Sequence, residues 1–177
     1  MEETFETKDS GARQQFDSGM VRDTQDGKNR LDLALDGPLP LALFVDGPKS
    51  DAISAFIAWY TNARENFVDM EAAVRVVKLV ANYEGGISEL FSRYAALMTR
   101  GAVKYSARNW MQADGQAEYE RFVSSACRHF FQWVKGDRDE DHAAAVIFNL
   151  NGAAYVRGKI DAREAQQRFE SVRRGAF

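Results

Sequence analysis

All three prolines of this chain, Pro38, Pro40 and Pro48, fall in one short segment, and residues 49–177 contain none. Proline removes a backbone donor and clashes inside a helix, so that long proline-free stretch leaves extended helices free to form. Its apolar residues recur at helical spacing. Ser50 or Asp51 can cap a helix over 51–65 with Ile53, Phe56, Ile57 and Tyr60 on one face. A second helix is expected over 69–83, with Met70, Val74, Val77 and Val80 or Ala81 as its stripe and Gly85 and Gly86 as its stop. A third runs from Ser88 to Thr99 through Leu90, Phe91, Tyr94 and Leu97. A fourth spans 117–134, a fifth 138–157, and Asp161–Arg174 forms a short amphipathic tail. No strand-like alternation of useful length follows residue 50. The expected fold is all-α: a compact helical domain of about five to six helices behind an irregular N-terminal segment.

Residues 1–15 are rich in Glu, Thr, Asp and Gln without apolar period, and are expected to be disordered or loosely held. Residues 16–177 read as one domain, since a chain of 177 residues can bury one sizeable core. Within it, 16–35 is a glycine-punctuated loop carrying Arg22, Lys28 and Arg30, and 36–50 is a proline-bearing turn region. The formal net charge of -3 supplies no basic field for nucleic acid or an anionic membrane. A lone cysteine, Cys127, excludes an internal disulfide framework and fits a reducing compartment. No apolar run is long enough to cross a bilayer, and the acidic start is unlike a signal peptide. The expected location is the cytoplasm, with no nucleic-acid or membrane partner.

Both histidines of the chain, His129 and His142, lie in one block, SSACRHFFQWVKGDRDEDHAAAVIFN at 124–149. They flank a Lys-Gly-Asp bend at similar distances. A short connection makes two flanking helices antiparallel neighbours, so the imidazoles should face each other near the bend. His129 shares a face with Phe122, Ala126, Phe130 and Trp133; His142 shares one with Ala145, Val146, Asn149 and Ala153. A single histidine on such a stripe is ordinarily a satisfied core residue. Two of them with Asn149 on facing helices need partners, and can satisfy one another or a ligand.

The bend also holds Asp137, Asp139, Glu140 and Asp141. If the fifth helix starts early, Asp137, Glu140 and Asp141 fall at i, i+3 and i+4 and their carboxylates converge. Like charges held together need a cation, and hard oxygen ligands suit Mg²⁺, with Mn²⁺ as the alternative. The plainer reading is an acid-rich helix start favoured by the macrodipole. A second block, GAVKYSARNW at 101–110, holds Lys104, Tyr105, Arg108, Asn109 and Trp110. Lysine and arginine one helical turn apart can grip phosphates, while Tyr or Trp stacks on a base. A helix C-terminus would carry the same cations for its own sake. Arg22 and Lys28 could add phosphate contacts. The chain lacks a phosphate-binding P-loop, a dinucleotide glycine fingerprint and a zinc-type cysteine pair.

In SGMVRDTQDGKNRLDL (18–33), RYAALMTRGAVKYSARNW (93–110) and YERFVSSACRHFFQWVKGDRDEDHAAAVIFN (119–149), the sequence resembles the phage dATP/dGTP diphosphohydrolase N-terminal domain family. The stretch 36–88 has no recognised counterpart and reads as an insertion. The resemblance implies a phage-encoded, Mg²⁺-dependent hydrolase that converts purine deoxynucleoside triphosphates to monophosphate and pyrophosphate and so adjusts the nucleotide pool. Such an enzyme would act in the cytoplasm of the infected host. MazG-like all-α pyrophosphohydrolases present paired Glu-x-x-Glu and Glu-x-x-Asp motifs; this chain has no strict copy of either. It also carries Asp141–His142, the reverse of the His-Asp order of HD-type phosphohydrolases.

As an enzyme, the chain would use Asp137, Glu140 and Asp141 for metal, and His129, His142 and Asp141 for catalysis. Lys104, Arg108, Arg22 and Lys28 would meet the phosphates, Tyr105 or Trp110 the purine, and Asn109 and Asn149 would complete the substrate site. The competing reading is a non-catalytic protein that sequesters a nucleotide such as a host signal, for which the carboxylates are dispensable. A helical interaction module is the third. A homo-oligomer is a further expectation, with the Met70–Val80 stripe as its candidate interface.

Overall fold

The computed structural model describes residue 5, residues 11–34 and residues 47–175. Among them are a two-stranded antiparallel hairpin and six α-helices. Strands β1 (Arg13–Gln15) and β2 (Val21–Asp23) pair Arg13 with Asp23 and Gln15 with Val21. The helices are α1 (Leu31–Ala34), α2 (Ser50–Arg64), α3 (Met70–Tyr83), α4 (Ile87–Tyr105), α5 (Gln116–Lys135) and α6 (His142–Gly175). A 3-10 turn, Asn109–Gln112, links α4 to α5. The all-α expectation holds, with the hairpin as its one β element among the described residues. Most of the start expected to be loose, residues 1–4 and 6–10, lies outside the described residues, as do Pro38 and Pro40. Its end, Arg13–Gln15, is the first strand rather than a loose tail.

The core forms where α5 packs between α2 and α6. The Phe56 and Phe130 rings stack with centroids 4.1 Å apart, and Trp59 is buried beside them. Buried hydroxyls in this apolar setting need acceptors. Tyr119 donates to the Ala63 carbonyl at 2.7 Å, and Tyr60 donates to the Asp32 carbonyl at 2.9 Å. On α3 the buried stripe is Ala73, Val76, Val80 and Ala81, while Met70 and Val74 are exposed. The cap at Asp69, whose Oδ1 accepts from the Ala72 amide, sets that phase.

Three helix boundaries differ from expectation, each for a local reason. Helix α4 continues past Thr99 to Tyr105, because Lys104 and Tyr105 are both held by Asp23 of β2. It ends where Ser106 and Arg108 adopt left-handed backbone angles (φ 79° and 60°), so Lys104 and Arg108 do not lie one turn apart on a helix. Helix α6 begins at His142, four residues later than expected, because the Asp141 carboxylate caps it by accepting from the Ala144 amide at 3.1 Å. It then runs unbroken to Gly175, with no separate tail. Arg157 pairs with Asp161 at 2.7 Å and Glu164 at 3.2 Å, bracing the turn around Gly158. The end of α5 follows the sequence: Gly136, at φ 87°, donates to the Gln132 and Trp133 carbonyls and turns the chain.

Helices α5 and α6 approach closely because Gly152 has no side chain. A Cβ built there would lie 2.2 Å from the Phe122 ring. Gly152→Ala should therefore destabilise the protein by about 1–3 kcal/mol, the usual cost of overpacking. Gly158→Ala, whose Cβ would meet nothing within 4 Å, should instead stabilise by up to about 1 kcal/mol through helix propensity. Chemical denaturation of both variants checks this; equal effects would remove Gly152 as the contact that sets helix spacing.

Candidate active site

The end of α4 and the 3-10 turn after it clamp strand β2. Asn109 donates from Nδ2 to the Val21 carbonyl at 2.8 Å and accepts from the Val21 amide at 3.1 Å. Asp23 takes Lys104 at 2.9 Å, the Tyr105 hydroxyl at 2.5 Å and Arg13 at 3.0 Å. Side chains alternate across a strand, so holding Val21 and Asp23 turns Arg22 the other way. Its guanidinium lies 4.7 Å from the Phe122 ring centroid and 5.4 Å from that of Phe148. One of its nitrogens donates to Asn149 Oδ1 at 3.0 Å, and Asn149 Nδ2 donates to the Ala145 carbonyl at 2.7 Å. Lys104, Tyr105, Asn109 and Asn149 thus hold protein groups in place, and their joint effect is to deliver Arg22.

Arg22 enters a cleft of about 1210 Å³ bounded by β2, the end of α4, α5, the 136–141 loop and α6. That volume exceeds the usual span for small-molecule sites, roughly 300–1,000 Å³. Arg121 and Arg128 of α5 and Lys28 share its wall. Burial, then Arg121 and Arg128, press the Arg22 pKa down to about 9. Burial and the neighbouring Arg128 bring Arg121 to about 10. Lys28 is lowered by burial and then by Arg128 and Arg121. Cations held this close make one another costlier to keep charged. Arg121 donates to the Asp23 carbonyl through one nitrogen. Its Nε and Nη1, and Nη1 of Arg22, are buried without a hydrogen-bond partner among the described residues. Ser125 Oγ, one turn from Arg121, is unpartnered as well. Three buried donors left open in one place are expensive unless a ligand fills them.

The two histidines meet as the hairpin geometry predicts, with their Nδ1 atoms 3.0 Å apart. Arg128 lies 3.0 Å from His129 Nε2, and His142 Nε2 lies 2.8 Å from Asp139 Oδ1. A guanidinium only donates, so His129 Nε2 accepts and its Nδ1 carries the hydrogen. His142 Nδ1 then accepts that hydrogen, and its Nε2–H donates to Asp139. One assignment satisfies all four ring nitrogens. Burial, then Arg128, His142, Arg22 and Lys28, hold the proton affinity of His129 well below the usual histidine range.

The acidic run does not converge as expected. With α6 starting at His142, Asp137, Glu140 and Asp141 sit in the loop rather than on one helix face. The Asp141 side chain is 2% exposed and receives two nitrogens of Arg93, at 2.7 and 2.9 Å, besides capping α6. Asp137 pairs with Lys135 at 3.0 Å. Two groups lie close enough to share a cation: His129, Glu140 and His142, and Asp137, Asp139 and His142. Both draw on His142, whose nitrogens are already committed, and neither is the all-oxygen shell that Mg²⁺ prefers. Among the described residues, Asp137, Glu140 and Asp141 do not come together as one three-carboxylate group.

Trp110 and the exposed Arg108 line the cleft at its α4 side, with Met98 and Leu97. Trp110 packs edge-on against Tyr155 and Phe148, at 5.2 and 6.2 Å. Sequence reasoning passed over Arg121, Ser125 and Arg128 while following the apolar stripe of their helix. Their spacing (i, i+4, i+7, with Gln132 at i+11) is itself a helical stripe beside that of His129. Arg93 was likewise visible only as one cation among many.

The family model for the dATP/dGTP diphosphohydrolase N-terminal domain matches residues 74–163, just over half of the chain. The match takes in 74–88, part of the stretch read from sequence as an insertion, and contains α4, α5, the loop and the first part of α6. Comparison with curated proteins and with solved structures gives no match. No helix of the described residues is long and apolar enough to cross a membrane.

Asp141→Asn separates the two roles offered for this residue. Loss of a buried, doubly bonded partner for Arg93 should destabilise the protein by about 1.5–3 kcal/mol in chemical denaturation. A gain in stability would mean that carboxylate repulsion, and hence a cation-binding cluster, governs the loop.

Proposed function

Because the chain belongs to the dATP/dGTP diphosphohydrolase N-terminal family, we propose that it hydrolyses a purine deoxynucleoside triphosphate to monophosphate and pyrophosphate. The observation that carries this reading is the set of buried, unpartnered guanidinium donors of Arg22 and Arg121 in the cleft wall. Together with Lys28 and Arg128 they suit a chain of phosphates. Guanidinium and phosphate make charge-assisted hydrogen bonds of matched geometry, and a polyanion would offset the mutual repulsion of the cations. Trp110 at the α4 side offers an aromatic surface for the base. The water would be handled by one of the two histidines. Any Mg²⁺ the reaction requires would come in on the nucleotide phosphates, as that ion commonly does, rather than on a preformed carboxylate cage. The dispersed carboxylates also favour the second reading, a protein that binds a nucleotide without turning it over.

Incubating the protein with dGTP or dATP and Mg²⁺ should release pyrophosphate; tight binding with no release would select the second reading. Arg121→Met provides the matching variant. Removing a buried charge that has no carboxylate partner among the described residues, and whose one hydrogen bond there goes to the Asp23 carbonyl, should leave thermal stability nearly unchanged or raised. Loss of its phosphate contacts should lower kcat/KM, or weaken binding, by about 10- to 100-fold. A destabilised variant with unaltered affinity would make Arg121 a structural strut for β2.

A further inference from the structure

Arg128 occupies two places at once: it lines the cleft with Arg22, Lys28 and Arg121, and it covers His129 Nε2. His129 borders the cleft, while His142 lies behind it and meets the cleft-lining residues His129 and Asp139. Resting on the enzymatic reading, we infer that Arg128 is a substrate-operated cover: phosphates draw its guanidinium away, and the uncovered Nε2 of His129 takes the proton of the attacking water. Asp139 and His142 act as positioning residues that fix which nitrogen is left to accept.

Geometry supports each part. The imidazole ring has one acceptor nitrogen in a given tautomer, and the sequence of bonds from Asp139 through His142 to His129 leaves that acceptor at Nε2, on the cleft side. Exchange of the tautomer would turn a hydrogen toward Arg128 and place two donors face to face. A carboxylate that orients a histidine without taking its proton serves the same purpose in hydrolytic triads. The free protein also suppresses the basicity of His129 through burial and then through Arg128, His142, Arg22 and Lys28. A bound polyanion offsets the three cations among those neighbours, Arg128, Arg22 and Lys28, so the base gains proton affinity when substrate arrives. Glu140 and Asp139, the carboxylates that face Arg128 across the loop, give its guanidinium a second place to rest.

The step balances without a further reactant. The water oxygen forms a bond to the α-phosphorus, and the bond from that phosphorus to the α–β bridging oxygen breaks. The water proton passes to His129 Nε2, while Nδ1–H stays bonded to His142. Pyrophosphate leaves as the anion with its charge held by the cleft cations, and His129 then returns its proton to solvent.

A chain with only two histidines gives a simple two-bond ¹H–¹⁵N spectrum. In the free protein His129 should be protonated at Nδ1 and His142 at Nε2. Adding dGTP with a methylene bridge between its α and β phosphorus atoms should shift the His129 Nε2 resonance toward that of an acceptor without a guanidinium donor. Protonation of His129 at Nε2 would overturn the inference, and so would two unprotonated Nδ1 atoms, the signature of a cation shared across the 3.0 Å gap. An Nε2 resonance unmoved by saturating analogue would also overturn it. These spectra bear on the cover alone, whereas absence of turnover in the wild-type protein bears on the enzymatic reading. Asp139, whose side chain is 40% exposed, can be replaced without disturbing the core. Asp139→Asn should lower kcat about 100-fold with KM within about twofold, in the range for loss of a general base. Unchanged kcat, or a rise in KM alone, would remove Asp139 from its positioning role.

Discussion

The close passage of α5 over α6 at Gly152 is the contact on which the site depends. The Phe122 ring fills the space where a side chain at 152 would stand. That spacing brings His129 to within one hydrogen bond of His142, thirteen residues later in the chain. The same ring, with Phe148 beside it, is the shelf on which Arg22 rests. A single helix crossing therefore sets both the imidazole pair and the first of the cleft cations. Apolar burial supplies the driving force for the crossing; the polar groups are positioned by it and contribute little stability of their own.

Around that crossing the protein gathers four cations, two of which, Arg22 and Arg121, keep buried donors without a hydrogen-bond partner among the described residues. Arg22, Lys28, Arg121 and Arg128 come from a strand, a loop and a helix; burial presses the proton affinities of all four downward, and repulsion from neighbouring cations adds to it for Arg22, Lys28 and Arg121. Elsewhere the chain pairs its buried charges closely: Arg93 with Glu84 and Asp141, Arg157 with Asp161 and Glu164, Lys104 with Asp23. The contrast separates cations paired with carboxylates from Arg22 and Arg121, whose open donors support the proposed phosphate site. Strain of this kind, kept at one place and avoided at others, is what the proposed binding site rests on.

Much of this was legible in the sequence. The helical period located α2 to α5, and the bend between two helices placed the histidines face to face. Gly136 announced the turn because only a residue without a side chain readily takes its left-handed angle. The start of α6 was misplaced because four acidic residues in the 137–141 loop offered several plausible caps, and only the partnership with Arg93 selects Asp141. Arg93 lies 48 residues away, beyond the reach of any local pattern. The roles of Lys104, Tyr105 and Asn109 were hidden for the same reason, since their partners are in β2. Arg121 and Arg128 were in plain view on a helix whose apolar stripe drew the attention. A polar stripe is ordinarily solvated, and nothing local says that this one is buried.

A crystal structure with a non-hydrolysable purine deoxynucleoside triphosphate tests the central claim most directly. Phosphate oxygens should lie within about 2.7–3.2 Å of Arg22 Nη1 and of Arg121 Nε or Nη1, with the guanidinium of Arg128 turned away from His129. Phosphates bound instead at the exposed Arg108, with the Arg22 and Arg121 donors still open, would contradict it.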